Sequence, residues 1–252
     1  MQSTPDLTKR FIRILDRFDR GHSRSDHFAD FLELACCAVR KTTMPPGPEA
    51  DAIEDRYMAI VGRHRPDDIR AMPELLTILH LAVAEGGCDF LGSVAGELGA
   101  LDGRSGQFFT PFEVSRMMAD SVLQDASSII EAQGFVTIDE PACGAGGMVI
   151  AAADVLAMAG HDPMQNMYVE ATDLSLLAFH MAYLQISARG VPALVRRANS
   201  LSLEQFDRAY TPAMMPFLSR HGEAFEAWRA EGRQHAAERE REMRKGEQLV
   251  LI

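Results

Sequence analysis

Cysteine is scarce in this sequence, and the few present are not arranged for the chemistry cysteine usually performs. Cys36, Cys37, Cys88 and Cys143 show no CxxC pairing and no accompanying histidine spacing, which argues against a disulfide framework or a structural zinc site. The eight histidines show neither HxH nor HxxxH spacing, so none is assigned to a metal. Long apolar runs are missing too. No stretch approaches the roughly 20 uninterrupted apolar residues of a membrane-spanning helix, and the amino terminus mixes charges through its apolar positions. The chain is therefore expected to be soluble and cytoplasmic, with no membrane partner. Basic charge is also in short supply: the net charge is −11, and no third of the chain is basic overall. A protein that wraps nucleic acid by itself usually carries a basic face, because phosphate contacts supply most of the affinity. An autonomous DNA binder is not expected. Arg189, Arg196 and Arg197 form the one compact basic group in the sheet half, and ordinary solvated arginines are the plainer reading there, with DNA contact the alternative.

What is there is a core. Of 252 residues, 47% are hydrophobic and 24% charged, enough to fill one large domain or two small ones. Leu7, Phe11, Ile12, Leu15 and Phe18 recur at helical spacing among Arg and Asp, which predicts an amphipathic helix over 5–20. Further helices are expected over 26–40, 48–63 and 73–84, with MPPGP at 44–48 as a turn, so residues 1–100 read as a helical domain. After about residue 105 the texture changes to short β-rich runs alternating with helices, the pattern of a parallel sheet built from βαβ units. Strands are predicted at 134–141, 166–173 and 193–200, with a fourth at 206–210, and helices at 146–160 and 174–187. This α/β domain spans 101–221, and 222–252 is a charged helix or tail. No internal repeat is present.

The most informative stretch is Glu140-Pro141-Ala142-Cys143-Gly144-Ala145-Gly146-Gly147, directly between a predicted strand and a predicted helix. Glycines there permit a tight turn and close approach of a ligand to the backbone, while the helix amino terminus offers free N–H groups. A sharp turn with no ligand explains the same residues. Asp173 ends the next strand, where such folds place an acid for ribose hydroxyls; capping of a helix beginning at Leu174 is the plainer alternative. Neither GxGxxG nor GxxxxGK[ST] occurs, which weakens dinucleotide and nucleoside-triphosphate readings and favours an adenosyl ligand without a phosphate chain.

Gly106-Gln107-Phe108-Phe109-Thr110-Pro111, followed by the glycine turn, resembles the GQFFTP or GQFYTP and DPxCGSGG motifs of N6-adenine DNA methyltransferases. The resemblance is greatest to the modification subunits of type I restriction-modification systems. Asp89-Phe90-Leu91-Gly92 also resembles the D-x-L-G that precedes FFTP in those subunits. The resemblance implies a Rossmann-like, S-adenosylmethionine-dependent methyltransferase sheet behind a helical amino-terminal domain. It implies S-adenosyl-L-methionine as cofactor, held by Gln107, Phe108, Phe109, Thr110, Pro111, Glu140, Gly144, Ala145, Gly146, Gly147 and Asp173, with Asn199 where the family often has an acid reaching the adenine amino group. Phe108 and Phe109 also read as plain core aromatics, and Thr110-Pro111 as a helix start with Pro111 first in the helix. Cys143 reads as a small packing residue.

The departures point elsewhere. Adenine methyltransferases of this type need an Asn/Asp-Pro-Pro-Phe/Tyr loop after the fourth strand to hold the flipped base. Here the chain reads Thr211-Pro212-Ala213-Met214-Met215-Pro216-Phe217, and no such loop occurs anywhere, so no catalytic residue is assigned. Glu140 replaces the usual Asp. The sheet is expected to stop after its third or fourth strand. DNA methylation is therefore the expected family activity but is not expected of this chain alone. DNA contact is expected through a partner chain that completes the sheet. A non-catalytic regulator or decoy of a modification system is the alternative.

Overall fold

The computed structural model describes residues 3–19, 21–100 and 109–230. It divides into two compact units, Met1–Met214 and Met215–Ile252. In the first, α1 (Thr4–Leu15), α2 (Arg24–Lys41), α3 (Pro48–Val61), α4 (Pro66–Val83) and α5 (Phe90–Leu98) precede the sheet. Ser23 starts α2 with a capping box: its hydroxyl accepts from the Asp26 N–H and the Asp26 carboxylate accepts from the Ser23 N–H. Phe11 of α1 is fully buried, edge-on to Phe28, Phe31 and Phe90 with ring centroids 5.3 to 6.2 Å away. These contacts join α1, α2 and α5 into one core with the helices of the sheet.

The helix expected over 73–84 starts at Pro66 and runs through Pro73. Pro66 sits near the amino terminus, where its missing N–H is no loss. The cost of Pro73 is offset by burial of Met72, Leu75, Ile78, Leu79, Ala82 and Val83 along one face. Helices were not expected at α5 or α7 (Ala126–Gln133), and of α6 (Phe112–Val122) only the start, at Pro111, was expected.

The sheet follows as β1 (Val136–Glu140), α8 (Gly147–Met158), the short α9 (Pro163–Asn166), β2 (Met167–Asp173), α10 (Leu176–Arg189), β3 (Ala193–Ala198) and β4 (Gln205–Tyr210). The strands lie in the order β1-β2-β3-β4. β1, β2 and β3 run parallel, so Glu140, Asp173 and Ala198 end them on one edge of the sheet. The mixed α/β class and the open four-stranded sheet are as expected. β4, however, is antiparallel to β3. The connection, 199–204, is a tight hairpin, whereas a parallel return needs a crossover of roughly a dozen residues or more.

Asn199 organises that hairpin: its side-chain oxygen accepts from the N–H groups of Leu201 (2.9 Å) and Ser202 (3.1 Å), and Leu203 takes a left-handed φ of 61°. β4 is tied to the helical layer by Arg40 of α2. The guanidinium forks onto Asp207 at 3.1 and 3.2 Å and donates to the Arg208 carbonyl at 3.0 Å. The Arg40 side chain is 10% exposed and that of Asp207 22%. Removing Arg40 leaves Asp207 only the more distant Arg56, at 3.7 Å, and breaking a mostly buried pair is costly. Arg40→Ala is expected to destabilise the chain by about 3 kcal/mol, read as a lower urea midpoint, and Arg40→Lys to recover only part of it because an ammonium cannot fork.

In the second unit the described residues are helical through 230. Phe225 meets Phe217 edge-on and stacks on Trp228, each at 5.5 Å. The charged stretch beyond 230 lies outside the described residues. No helix among the described residues is long and apolar enough to cross a membrane.

Candidate functional site

The glycine turn lies where the carboxyl ends of β1 and β2 meet the amino terminus of α8. Gly144 (φ 54°) and Gly146 (φ 93°) both adopt the left-handed backbone that favours glycine. The turn is held by the Cys143 N–H donating to the Thr172 carbonyl (2.9 Å) and the Gly146 N–H donating to the Cys143 carbonyl (2.8 Å). Asp173 closes it from the next strand: one carboxylate oxygen accepts from the Gly144 N–H at 2.9 Å, the other from the Ser175 N–H at 2.8 Å. Asp173 does not cap α10. Ser175 does, accepting from the Ala178 N–H, and the helix begins at Leu176. Asp173 thus spends one lone pair per oxygen on backbone and keeps the others for hydroxyl donors.

Around the turn is a cleft of about 410 Å³, within the range of small-molecule sites. Phe109, Thr110, Glu140, Gly144, Ala145, Gly147 and Asp173 line it. Phe109 is half-buried, with its ring only 2.9 Å from where a Cβ on Gly144 would stand, so the bare glycine lets the aromatic wall close over the turn. Glu140 accepts from the Ala142 N–H at 3.1 Å. Ala145 turns its carbonyl away to the Gln185 amide at 2.7 Å. Pro111 is the residue before α6, not its first, and its carbonyl accepts from Val114 and Ser115. Gly146 faces the other way: a Cβ there would meet the Ala182 backbone at 3.3 Å. Asn199 is in the β3–β4 hairpin, outside the cleft lining. Gln107 and Phe108 lie outside the described residues.

Cys143 is buried, and desolvation together with the neighbouring Asp173 and Glu140 pushes its thiol well above the usual range. It is a protonated packing group rather than a nucleophile. The arginine group does not form one surface. Arg189 pairs with Asp154 at 3.2 Å and Arg196 with Glu170 at 2.6 Å, while the Arg197 guanidinium lies 5.3 Å from the Phe206 ring centroid. Two residues that sequence reasoning did not place in the site are Asp89, which lines the cleft, and Gln185, fully buried in α10. The available signals were an Asp directly before an apolar helical run and a Gln in an otherwise apolar stretch.

Residues 91–217 match the N-6 DNA methylase family, half of the sequence, and include the lining residues of the cleft from Phe109 onward. The chain belongs to this family. S-adenosyl-L-methionine is accordingly its cofactor, and DNA the substrate class of the family. A solved structure described as a class I S-adenosylmethionine-dependent methyltransferase from Listeria monocytogenes is also similar, at 10% identity and a TM-score of 0.43, over 86% of this chain and 70% of that one. No curated protein matches.

The cleft fits that cofactor by its donor set. Asp173 can accept from two vicinal hydroxyls, Phe109 and Asp89 close on the bare glycines Gly144 and Gly147 at the cleft wall, and α8 begins at the cleft with no side-chain cap on its first N–H groups among the described residues. S-adenosyl-L-methionine supplies the electrophilic methyl group when bound; these residues bind and orient it.

Proposed function

We propose that this chain is the cofactor-holding part of an adenine-specific DNA methyltransferase of the type I restriction-modification kind, and that a second chain supplies the loop that receives the target base. In this reading Asp173 takes the ribose, Phe109 and Thr110 wall the methionine and adenine portions, and Ala145 and Gly147 present backbone to the methionine end. Glu140 braces the turn.

The observation that carries the proposal is the placement of the segment after β4. Thr211 is pinned beside the start of β3: its N–H donates to the Ala193 carbonyl (3.0 Å), and its hydroxyl accepts from the Ala193 N–H (2.9 Å) and donates to the Val191 carbonyl (2.7 Å). The cleft lies at the other end of β3, about 17 Å of strand away. Methyl transfer needs the acceptor nitrogen in line with the methyl group at close range. Residues 211–214 therefore cannot present the base to this cleft, whatever their identity.

The second chain has an edge to take. Among the described residues β1 pairs only with β2, and a free strand edge invites a further strand. α6, which packs on the helix following β1, leaves Val114, Met117, Met118 and Val122 uncovered, with Val122 81% exposed. A strand of alternating apolar residues laid against β1 is the occupant that suits both features. With Arg189, Arg196 and Arg197 engaged inside the fold, most phosphate contacts also fall to that chain.

The isolated chain is expected to transfer no tritiated methyl group from labelled S-adenosylmethionine to adenine in double-stranded DNA. Transfer above a DNA-free control would overturn the two-chain reading.

A further inference from the structure

Asp89 is far from the glycine turn in sequence but lines the same cleft. It precedes α5, and its side chain is buried, with the residue 8% exposed. Its two carboxylate oxygens are in different situations. Oδ1 accepts from the Gly92 N–H at 2.9 Å and from the Gln185 side-chain amide at 2.8 Å. Gln185 cannot turn, since its oxygen accepts from the Leu91 N–H (2.9 Å) while its nitrogen also donates to the Ala145 carbonyl (2.7 Å). Oδ2 takes no hydrogen bond from any described residue, and it stands 3.1 Å from where a Cβ on Gly147 would be, over the first residue of α8.

Capping α5 needs only one oxygen, and an amide would serve. The second oxygen, and the negative charge, have no partner among the described residues. No cation of the described residues faces them: burial raises the pKa of this carboxyl, and the two hydrogen bonds lower it. A buried carboxylate without a counter-ion is costly to keep. The cost is removed when a cationic ligand group arrives.

We infer that the Asp89 carboxylate receives the α-ammonium of the cofactor's methionine end. The inference rests on the reading of the cleft as the cofactor site. Asp173, at the end of β2, is assigned the ribose, and Gly147 marks the methionine end, where the ligand has an ammonium and a carboxylate. The N-terminus of α8 suits the carboxylate, and Asp89 beside it supplies the opposite charge. Gln185 acts as a positioning residue, clamping Asp89 to the turn through the Ala145 carbonyl.

Asp89→Asn preserves the helix cap and an oxygen for Gln185, and removes only the charge. Wild type and variant are titrated calorimetrically with three ligands: S-adenosylmethionine, S-adenosylhomocysteine, which keeps the ammonium but lacks the sulfonium charge, and 5′-methylthioadenosine, which lacks the amino-acid end. The expected result is a loss of roughly 30-fold or more for the first two ligands, with 5′-methylthioadenosine affinity unchanged. Unchanged S-adenosylmethionine affinity would overturn the assignment. An equal loss for 5′-methylthioadenosine would make Asp89 a scaffold residue, and a loss confined to S-adenosylmethionine would move its charge to the sulfonium; either result overturns the ammonium assignment. A wild type that binds none of the three would overturn the cofactor reading itself, and this inference with it.

Discussion

Asp173→Ala is expected to abolish measurable binding of S-adenosyl-L-methionine while leaving the chain folded. The carboxylate ends β2 half-buried, with one lone pair of each oxygen committed to the Gly144 and Ser175 N–H groups. Two ribose hydroxyls would donate to what remains. Hydrogen bonds to a charged acceptor contribute about 1.5–3 kcal/mol each, so losing two weakens binding by about 100-fold or more. The Gly144 N–H also loses its partner, which leaves the turn tied to β2 by the bond from the Cys143 N–H to the Thr172 carbonyl and adds to the loss. Stability is expected to fall by only about 1 kcal/mol, because both donors stand at the edge of an open cleft where water can reach them. The check is a calorimetric titration paired with a urea melt. A variant that binds as well as wild type would remove Asp173 from the site.

The second large effect is expected at Gly146, and it is an effect on the fold. Valine there must take a left-handed φ of 93°, and its Cβ would lie 3.3 Å from the Ala182 backbone and 3.4 Å from Ile186. Strained backbone and overpacking each cost about 1–3 kcal/mol. Gly146→Val should therefore lower the melting temperature by roughly 10 °C and lose the cofactor only because α8 no longer seats against α10. Gly144→Ala is the contrast. Its φ of 54° is the milder one, and the new methyl would press at 2.9 Å on the Phe109 ring at the cleft wall. That variant should keep most of its stability and lose affinity. Equal melting of both variants would mean that Gly146 does not support the α8–α10 contact as described.

These two glycines also mark how far the sequence can be read. Strands β1 to β3 and the helices between them fall close to their expected spans, because short β-rich runs alternating with apolar helices have few other ways to be buried. The glycine turn was legible for a local reason: only such a turn joins a strand to a helix so tightly. Which way each glycine faces was not, since Gly146 meets α10 and Gly144 meets Phe109, contacts set by residues distant in the chain. The same holds for Asp89, whose importance arises through Gln185, 96 positions later. β4 shows a different limit. Its residues read correctly as a strand, but strand direction is decided by the length of the connection and by what the edge of β3 offers, not by composition. Pro73 is a third case, in which burial of one face of α4 outweighs the residue that usually ends a helix.

The direction of β4 carries the functional consequence. It places residues 211–214 at the end of β3 away from the cleft, and in the proposed reading this separates cofactor binding from base presentation. Among the described residues β1 pairs only with β2 and α6 exposes Val114, Met117, Met118 and Val122, the two features that the proposed second chain would cover.

The central claim is that the cleft at the ends of β1 and β2 is a working cofactor site in this chain by itself. Calorimetric titration of the purified protein with S-adenosyl-L-methionine tests it most directly. The account predicts saturable binding with one ligand per chain, without DNA or any partner; no heat of binding at millimolar ligand would contradict it.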